Sequence, residues 1–132
     1  MPAIEIQLRQ SGPTTTEAAI RTHRVLIDRP EAKGGQDQGP MGGELLLTSL
    51  GGCFASNLFA AARAREIALE DVAIAIAGEL VEAPARFSAV RMTISSGGAE
   101  RANLEKLVAI AERACIVANT LRTAVDLSIE VA

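Results

Sequence analysis

Aromatic residues are scarce in this chain: it has no Trp and no Tyr, and aromatic side chains make up only 2% of its residues. The hydrophobic core must therefore be aliphatic, built from Leu, Ile, Val and Ala. Stacking of aromatic rings on nucleic-acid bases is nearly excluded. Basic charge is also lacking, because the formal net charge is −3. The sequence therefore argues against nucleic acid as a partner.

Histidine and cysteine are rare as well. One histidine and the absence of a Cys-x-x-Cys motif argue against a zinc site, and we predict neither a metal ion nor a bound cofactor. No N-terminal targeting pattern is present, so we predict a cytoplasmic protein. In a cytosolic chain, two cysteines, here Cys53 and Cys115, are more often free thiols or a redox pair than a structural disulfide.

A long hydrophobic run without charge, residues 45–62, lies in the middle of the chain. It falls slightly short of the ~20 predominantly apolar residues that a membrane-spanning helix needs, and it contains Thr, Ser, Gly and Asn. We therefore predict a helix at about residues 43–65 that is buried on nearly all sides. In a chain of this size, such burial requires a second copy of the chain to cover the outer side of the helix.

Two adjacent glycines, Gly51 and Gly52, stand inside this helical pattern just before Cys53. Each costs roughly 1 kcal/mol relative to Ala in a helix interior. We expect the close approach of another helix or of a substrate to offset this cost.

The remaining patterns predict one α+β domain over residues 1–132. Ile4, Ile6 and Leu8 alternate with polar residues, which indicates a half-buried strand. We predict further strands at residues 14–28, 72–81, 87–95 and 125–131, a Gly-rich loop at residues 31–43, and helices at residues 100–114 and 116–122. His23 is expected on the surface of its strand. This order favours a mainly antiparallel sheet with helices on one face.

The two cysteines allow two interpretations. They can be small buried hydrophobic residues, which is a common use of cysteine. Alternatively, one of them reacts with peroxide, for which it must be a thiolate. A nearby cation lowers the pKa of a thiol, and a buried cation needs a carboxylate partner. Arg29 and Glu44, which flank the Gly-rich loop, are the candidates. A second thiol would then resolve the sulfenic acid as a disulfide.

Two blocks of the sequence form a recognisable pattern. The first block runs through Asp28-Arg29-Pro30, Gly39-Pro40, Glu44-Leu45-Leu46-Leu47 and Gly51-Gly52-Cys53, and the second through Ala111-Glu112-Arg113-Ala114-Cys115 and Asn119-Thr120-Leu121. These blocks resemble the OsmC/Ohr family of osmotically inducible and organic hydroperoxide resistance proteins, and in particular its general OsmC-like members. The resemblance covers essentially the whole chain in the right order.

The resemblance implies a two-layer α+β fold in which a mainly antiparallel sheet wraps around a long central helix. It implies an intertwined homodimer with active sites at the interface. Cys53 matches the peroxidatic cysteine, Cys115 the resolving cysteine, and Glu44 the carboxylate that holds an arginine. The family reduces organic hydroperoxides, with a dihydrolipoyl-type dithiol as reductant.

The sequence departs from the family pattern at two prolines. Gly43 stands where the family often has Pro before its Glu-Leu-Leu block, and Ile116 stands where Pro often follows the second cysteine. Without that second proline, the sequence does not force a helix break at Cys115.

The arginine partner of the cysteine lies on different N-terminal segments in different members of the family. Arg29 is our first choice because it lies at the start of the Gly-rich loop, followed by Arg24 and then Arg21. Glu44 and Cys53 are nine residues apart, so at ~100° per residue they point to opposite sides of one helix. We therefore predict that Glu44 serves the Cys53 of the partner subunit.

These observations predict a thiol-dependent peroxidase that reduces organic hydroperoxides through a Cys53 sulfenic acid and a Cys53–Cys115 disulfide. Leu50, Phe54 and Leu58 lie near Cys53 and are candidate contacts for an apolar substrate. Two alternatives remain open. One is another thiol chemistry in the same fold, as a sensor, a carrier or a persulfide enzyme. The other is a non-catalytic dimeric module that binds an apolar ligand.

Overall fold

The computed structural model describes residues 2–132 of the chain. In chain order the elements are β1 (Gln7–Gln10), β2 (Thr16–Ile20), β3 (His23–Ile27), a 3₁₀ turn (Glu31–Lys33), α1 (Gly42–Ala64), β4 (Glu70–Val81), β5 (Arg86–Gly97), α2 (Arg101–Ala114) and α3 (Ile116–Leu121). They form two compact units, one ending at Leu46 and the other covering Leu47–Ala132. The α+β class with antiparallel sheets and one long helix is confirmed.

The first unit is built on an antiparallel sheet in the order β1-β2-β3. Leu8 pairs with Ala18, and Ala18 pairs in turn with Val25. The prediction of one strand over residues 14–28 was wrong, because Arg21 and Thr22 form a tight turn that separates β2 from β3. Arg21 takes a left-handed φ of 53°, which two-residue hairpin turns require. No glycine marks the turn, so the sequence pattern did not reveal it.

The second unit contains the β4–β5 hairpin and helices α2 and α3, together with most of α1. Alternate residues of the hairpin pack against the core, as the period of two in a strand requires. Ile74 pairs with Ile94, and Ile76 pairs with Met92. These β-branched and unbranched aliphatic side chains fill the space that aromatic rings occupy in many other cores.

Helix α1 was predicted almost to the residue. Its buried side chains in the second unit include Leu50, Phe54, Leu58 and Ala61, which recur at the spacing of one helix face. Phe54 and Leu58 are among the largest fully buried side chains of the described residues. Among the residues of α2, Leu107 and Ala111 are fully buried.

The two glycines of α1 differ in their surroundings. A Cβ at Gly51 would lie 2.6 Å from Ile76 Cδ1, so the glycine makes room for a strand of the same chain rather than for a second helix or a substrate. A Cβ at Gly52 would meet no atom within 4 Å, and Gly52 is exposed. The prediction of a helix or a substrate as the close neighbour was therefore wrong at Gly51, where Ile76 of β4 fills that place. Within residues 2–132 nothing makes a close approach at Gly52.

The predictions for the first and the last strand differ from the structure. Residues 124–132 form no strand, and the apolar side chains of Val125, Leu127, Ile129 and Val131 are exposed, the last two by 89% and 99%. Strand β1 starts later than predicted, and Leu8 is exposed rather than half-buried. A strand needs a neighbour to complete its hydrogen bonds, and within residues 2–132 nothing pairs with the C-terminal segment.

Candidate active site

The second unit brings the two cysteines together. Cys53 lies on α1 and is half-buried, whereas Cys115 lies between α2 and α3 and is fully buried. Both are free thiols, and they lie close enough for each to shift the pKa of the other. Residues 62 positions apart in sequence thus lie together in the core, beside the buried side chains of α1 and α2.

Cys115 occupies this place because the helical chain breaks there. Its backbone is extended, with φ −75° and ψ 112°, so that it ends α2 and begins α3. Its sulfur accepts a hydrogen bond of 3.4 Å from the N–H of Ala118 and so caps α3. The break does not depend on the family's proline, because it forms with Ile116 in that position. The cap provides one physical reason, since it satisfies an N–H that has no partner within α3.

The surroundings of Cys53 favour its thiolate. A hydrogen bond from the backbone N–H of Val117 is the largest influence and lowers the pKa of Cys53. Burial acts in the opposite direction and raises the pKa, but hydrogen bonds from the Cys115 thiol and from the Ile116 N–H lower it further. Because all three donors stabilise the charged form of the sulfur, the pKa of Cys53 falls below its ordinary value.

The pKa of Cys115 moves in the opposite direction. Burial raises it most, and the hydrogen bond from the Ala118 N–H is too weak an opposing influence. The neighbouring Cys53 raises the pKa of Cys115 further, both as a hydrogen-bond partner and as a negative charge. The pair therefore loses its first proton from Cys53, while Cys115 keeps its proton. This asymmetry matches the roles of an attacking thiolate and a resolving thiol.

Asn57 is a second side chain in contact with Cys53. Its Nδ2 donates to the Cys53 carbonyl oxygen at 2.9 Å and lies 3.9 Å from the Cys53 sulfur. The spacing of four residues places both side chains on the same face of α1. Neither Asn57 nor the N–H groups of α3 were predicted from the sequence. The i,i+4 spacing from Cys53 could have revealed Asn57, but backbone donors leave no residue signature.

Glu44 lies in the first unit and caps its own helix. Its Oε1 accepts a hydrogen bond of 2.8 Å from the backbone N–H of Met41, the residue before α1. This is one half of a capping box, and it places a negative charge at the positive end of the helix dipole. The role of Glu44 as the partner of an arginine stays a prediction.

The three candidate arginines also belong to the first unit, and all three are exposed. Arg24 forms an ion pair of 3.3 Å with Glu17, and Arg21 makes the turn between β2 and β3. Arg29 begins the Gly-rich loop after β3, and its backbone carbonyl accepts a hydrogen bond of 2.9 Å from the Asp37 N–H. The choice of Arg29 stays a prediction.

The loop that carries Arg29 is held by one buried carboxylate, Asp28. The carboxylate oxygens accept five hydrogen bonds of 2.7–3.3 Å, from the hydroxyls of Thr14 and Thr15 and the backbone N–H groups of Arg29, Gln36 and Gln38. Burial alone raises the pKa of Asp28, but hydrogen bonds, led by the one from Thr15, outweigh it and hold the pKa at about 2 instead of 3.8.

Close backbone approaches complete this loop. A Cβ at Gly35 would lie 2.0 Å from the Arg29 carbonyl oxygen, and one at Gly39 would lie 2.1 Å from that of Leu26. Both positions therefore exclude any side chain. Close backbone contacts, together with the hydrogen bonds to Asp28, therefore hold the Gly-rich stretch.

The predicted substrate contacts Leu50, Phe54 and Leu58 are all buried, and they belong to the hydrophobic core of the second unit. Packing is thus one established role for each of them. Contact with a substrate stays a prediction.

Comparisons with known proteins show which family the sequence and the fold match. The family described as OsmC-like protein matches residues 35–130. No curated protein matches the chain. Similar solved structures include a hypothetical protein from Aquifex aeolicus VF5 (TM-score 0.80, 21% identity, covering 92% of this chain and 89% of that chain), an OsmC like protein from Mycoplasma pneumoniae (0.77, 16%, 92% and 88%) and an organic hydroperoxide resistance protein OsmC from Legionella pneumophila (0.70, 21%, 92% and 90%).

At these identities, the structural likeness establishes the fold. The sequence match extends over most of the chain and includes both cysteines. The chain therefore belongs to the OsmC-like protein family.

Proposed function

We propose that this protein is a thiol-dependent peroxidase that reduces organic hydroperoxides. The observation that carries the proposal is the asymmetric cysteine pair, in which Cys53 has a lowered pKa and Cys115 a raised one. A thiolate is the form that attacks a peroxide, and a protonated neighbour in contact with it is placed to resolve the product. The family includes hydroperoxide resistance proteins, and one similar structure bears that name.

The proposed reaction has three steps: oxidation of Cys53, formation of the disulfide and reduction of the disulfide. The Cys53 thiolate attacks the outer oxygen of R–O–O–H, the O–O bond breaks, and Cys53 becomes a sulfenic acid while the alkoxide takes up a proton to leave as R–OH. The Cys115 sulfur then attacks the Cys53 sulfur, which forms the disulfide and releases water. An external dithiol of the dihydrolipoyl type reduces the disulfide and is itself oxidised to a disulfide.

Arginine and glutamate complete the proposed machinery. Arg29 stabilises the thiolate and orients the peroxide, and Glu44 holds the arginine in place. Since Glu44 and Cys53 are nine residues apart on the continuous helix α1, their side chains leave the helix on opposite sides. We therefore propose that each Glu44 serves the Cys53 of a second copy of the chain. Leu50, Phe54 and Leu58 would provide the apolar surroundings that an organic peroxide prefers.

Counting of titratable thiols tests the proposed peroxidase. One equivalent of an alkyl hydroperoxide should remove both free thiols per chain, and faster than hydrogen peroxide does. Cys53→Ser should abolish the loss, because it removes the nucleophile. Cys115→Ser should still react but should stop at a sulfenic acid, which a dimedone label detects. If neither thiol of the wild type reacts faster than free cysteine, the protein is not a peroxidase.

The reductant requires a separate test. Lipoamide, lipoamide dehydrogenase and NADH, added to the oxidised protein, should restore both thiols with consumption of NADH. Glutathione, a monothiol, serves as the comparison and should act more slowly. If the protein is peroxide-reactive but lipoamide restores its thiols no faster than glutathione, a different reductant class operates. Rapid oxidation without any turnover would instead favour a sensor.

A further inference from the structure

Asn57 lies where a hydrogen bond to the reactive sulfur can form. Its amide nitrogen is within 3.9 Å of the Cys53 sulfur and within 2.9 Å of the Cys53 carbonyl oxygen. The two residues occupy successive turns on one face of α1. Both are half-buried, so water competes with this contact less than it would on an exposed face of the helix.

The chemistry of a primary amide suits this position. The NH₂ group carries two hydrogens. One hydrogen, given to the Cys53 carbonyl oxygen, fixes the orientation of the Asn57 amide plane. The other is then available to the sulfur, which accepts more strongly as a thiolate than as a thiol. A donor that binds the charged form more strongly lowers the pKa of the group.

We propose that Asn57 is a catalytic residue of this site and that its side-chain amide donates a hydrogen bond to the Cys53 thiolate. It does so from α1 itself, independently of the N–H groups of α3 and of any arginine. The inference rests on the proposed function only for the use of the thiolate against peroxides. The acidity of Cys53 can be measured without a peroxide.

A neighbouring residue shows what a purely structural role would look like. The Ser56 hydroxyl donates a hydrogen bond of 3.1 Å to the Gly52 carbonyl oxygen, the same i to i−4 pattern that Asn57 forms with Cys53. Ser56 is exposed, whereas Asn57 is half-buried. If Asn57 serves only to bind a helix carbonyl, its substitution should behave like the substitution of Ser56.

The test is the pH dependence of Cys53 alkylation by iodoacetamide, followed by peptide mass spectrometry in the full chain with Cys115 present. Asn57→Leu removes the donor at similar size and should raise the midpoint by about half a pH unit or more. Asn57→Asp adds a negative charge of the same shape and should raise it further. Ser56→Ala, the matched control, should leave the midpoint at the wild-type value.

The outcomes separate the two proposals. Circular dichroism and the thermal midpoint identify any variant that fails to fold, and the near-isosteric Asn57→Asp guards against that case. If folded Asn57→Leu and Asn57→Asp both keep the wild-type alkylation midpoint, the proposed role of Asn57 is wrong. If instead the midpoints shift but the wild type consumes no alkyl hydroperoxide, the role in thiolate stabilisation holds and the peroxidase function is the part that fails.

Discussion

At the scale of single residues, Asp28 shows how one carboxylate holds the Gly-rich loop. Its five hydrogen bonds join the segment just before β2 to the loop from Arg29 to Gln38. All five donors are backbone or hydroxyl groups, which carry no charge. The Asp-Arg-Pro sequence therefore has a structural reason of its own, since Asp28 orders the loop whose first residue is the candidate arginine.

The stability that Asp28 provides should depend on pH in a defined window. Its pKa is about 2 in the folded chain, below the ordinary 3.8, so its contribution is fully present above pH ~4 and is lost as pH falls towards ~2. Asn at position 28 replaces an acceptor oxygen by an NH₂ group. We expect Asp28→Asn to lower the free energy of unfolding at neutral pH, by an amount that shrinks across this window.

Urea unfolding followed by circular dichroism at several pH values measures this difference. Asp37→Asn is the matched control, because Asp37 belongs to the same loop, is exposed and has a left-handed φ of 55° that Asn also adopts readily. It should leave stability nearly unchanged at every pH. A difference between wild type and Asp28→Asn that stays constant down to pH ~2 would contradict the assignment of the low pKa.

At the scale of secondary structure, the start of α3 is an element that the family's proline would change. The N–H of Ile116 donates to Cys53 and helps to lower the pKa of that thiol, and proline has no N–H. The backbone of Cys115 is extended, at φ −75° and ψ 112°, which is the conformation that a residue before proline adopts. Proline is also favourable at the first position of a helix. The site can therefore accept proline without unfolding.

We expect Ile116→Pro to raise the pKa of Cys53 by a fraction of a pH unit, because one of several donors is lost. The ultraviolet absorbance of the thiolate, titrated against pH, measures the shift. Ile116→Ala keeps the N–H and shortens a side chain that is largely exposed, so it should keep the wild-type pKa. Equal pKa values in the proline and alanine variants would show that the Ile116 N–H does not contribute.

How far the sequence predicted these elements depended on whether their patterns are local. Helix α1 has a long charge-free run and the strands of the β4–β5 hairpin alternate regularly, and both elements were predicted closely. The turn at Arg21 was missed because its left-handed backbone carries no glycine signal. The donors to Cys53 were missed because backbone N–H groups of α3 do not depend on residue type. The cysteine pair itself was found only through the family resemblance, since spacing alone left buried small residues as the alternative.

At the scale of the whole molecule, exposed apolar side chains lead us to propose that a second copy of the chain covers them. Helix α1 is long and apolar enough to cross a membrane by length and composition, and only 33% of its most apolar window is buried within the chain. One such helix is equally typical of a protein core. Membership in the OsmC-like family favours a core helix over a membrane span. Leu46 and Phe59 are among its exposed large side chains, and a second copy of the chain would cover them.

The C-terminal segment provides the sharpest test of a homodimer. Its alternating apolar side chains are exposed in the single chain, and burying each fully would contribute about 1.5–3 kcal/mol. We expect the wild type, measured by light scattering after size exclusion, to have the mass of two 13.8 kDa chains. The double substitution Leu127→Lys and Ile129→Lys should yield monomers, because charges cannot enter an apolar interface. Ser128→Lys, on the other side of the alternation, should stay dimeric. A wild type that is monomeric at the concentrations of the peroxide assay would rule out a site completed by Glu44 of the second copy.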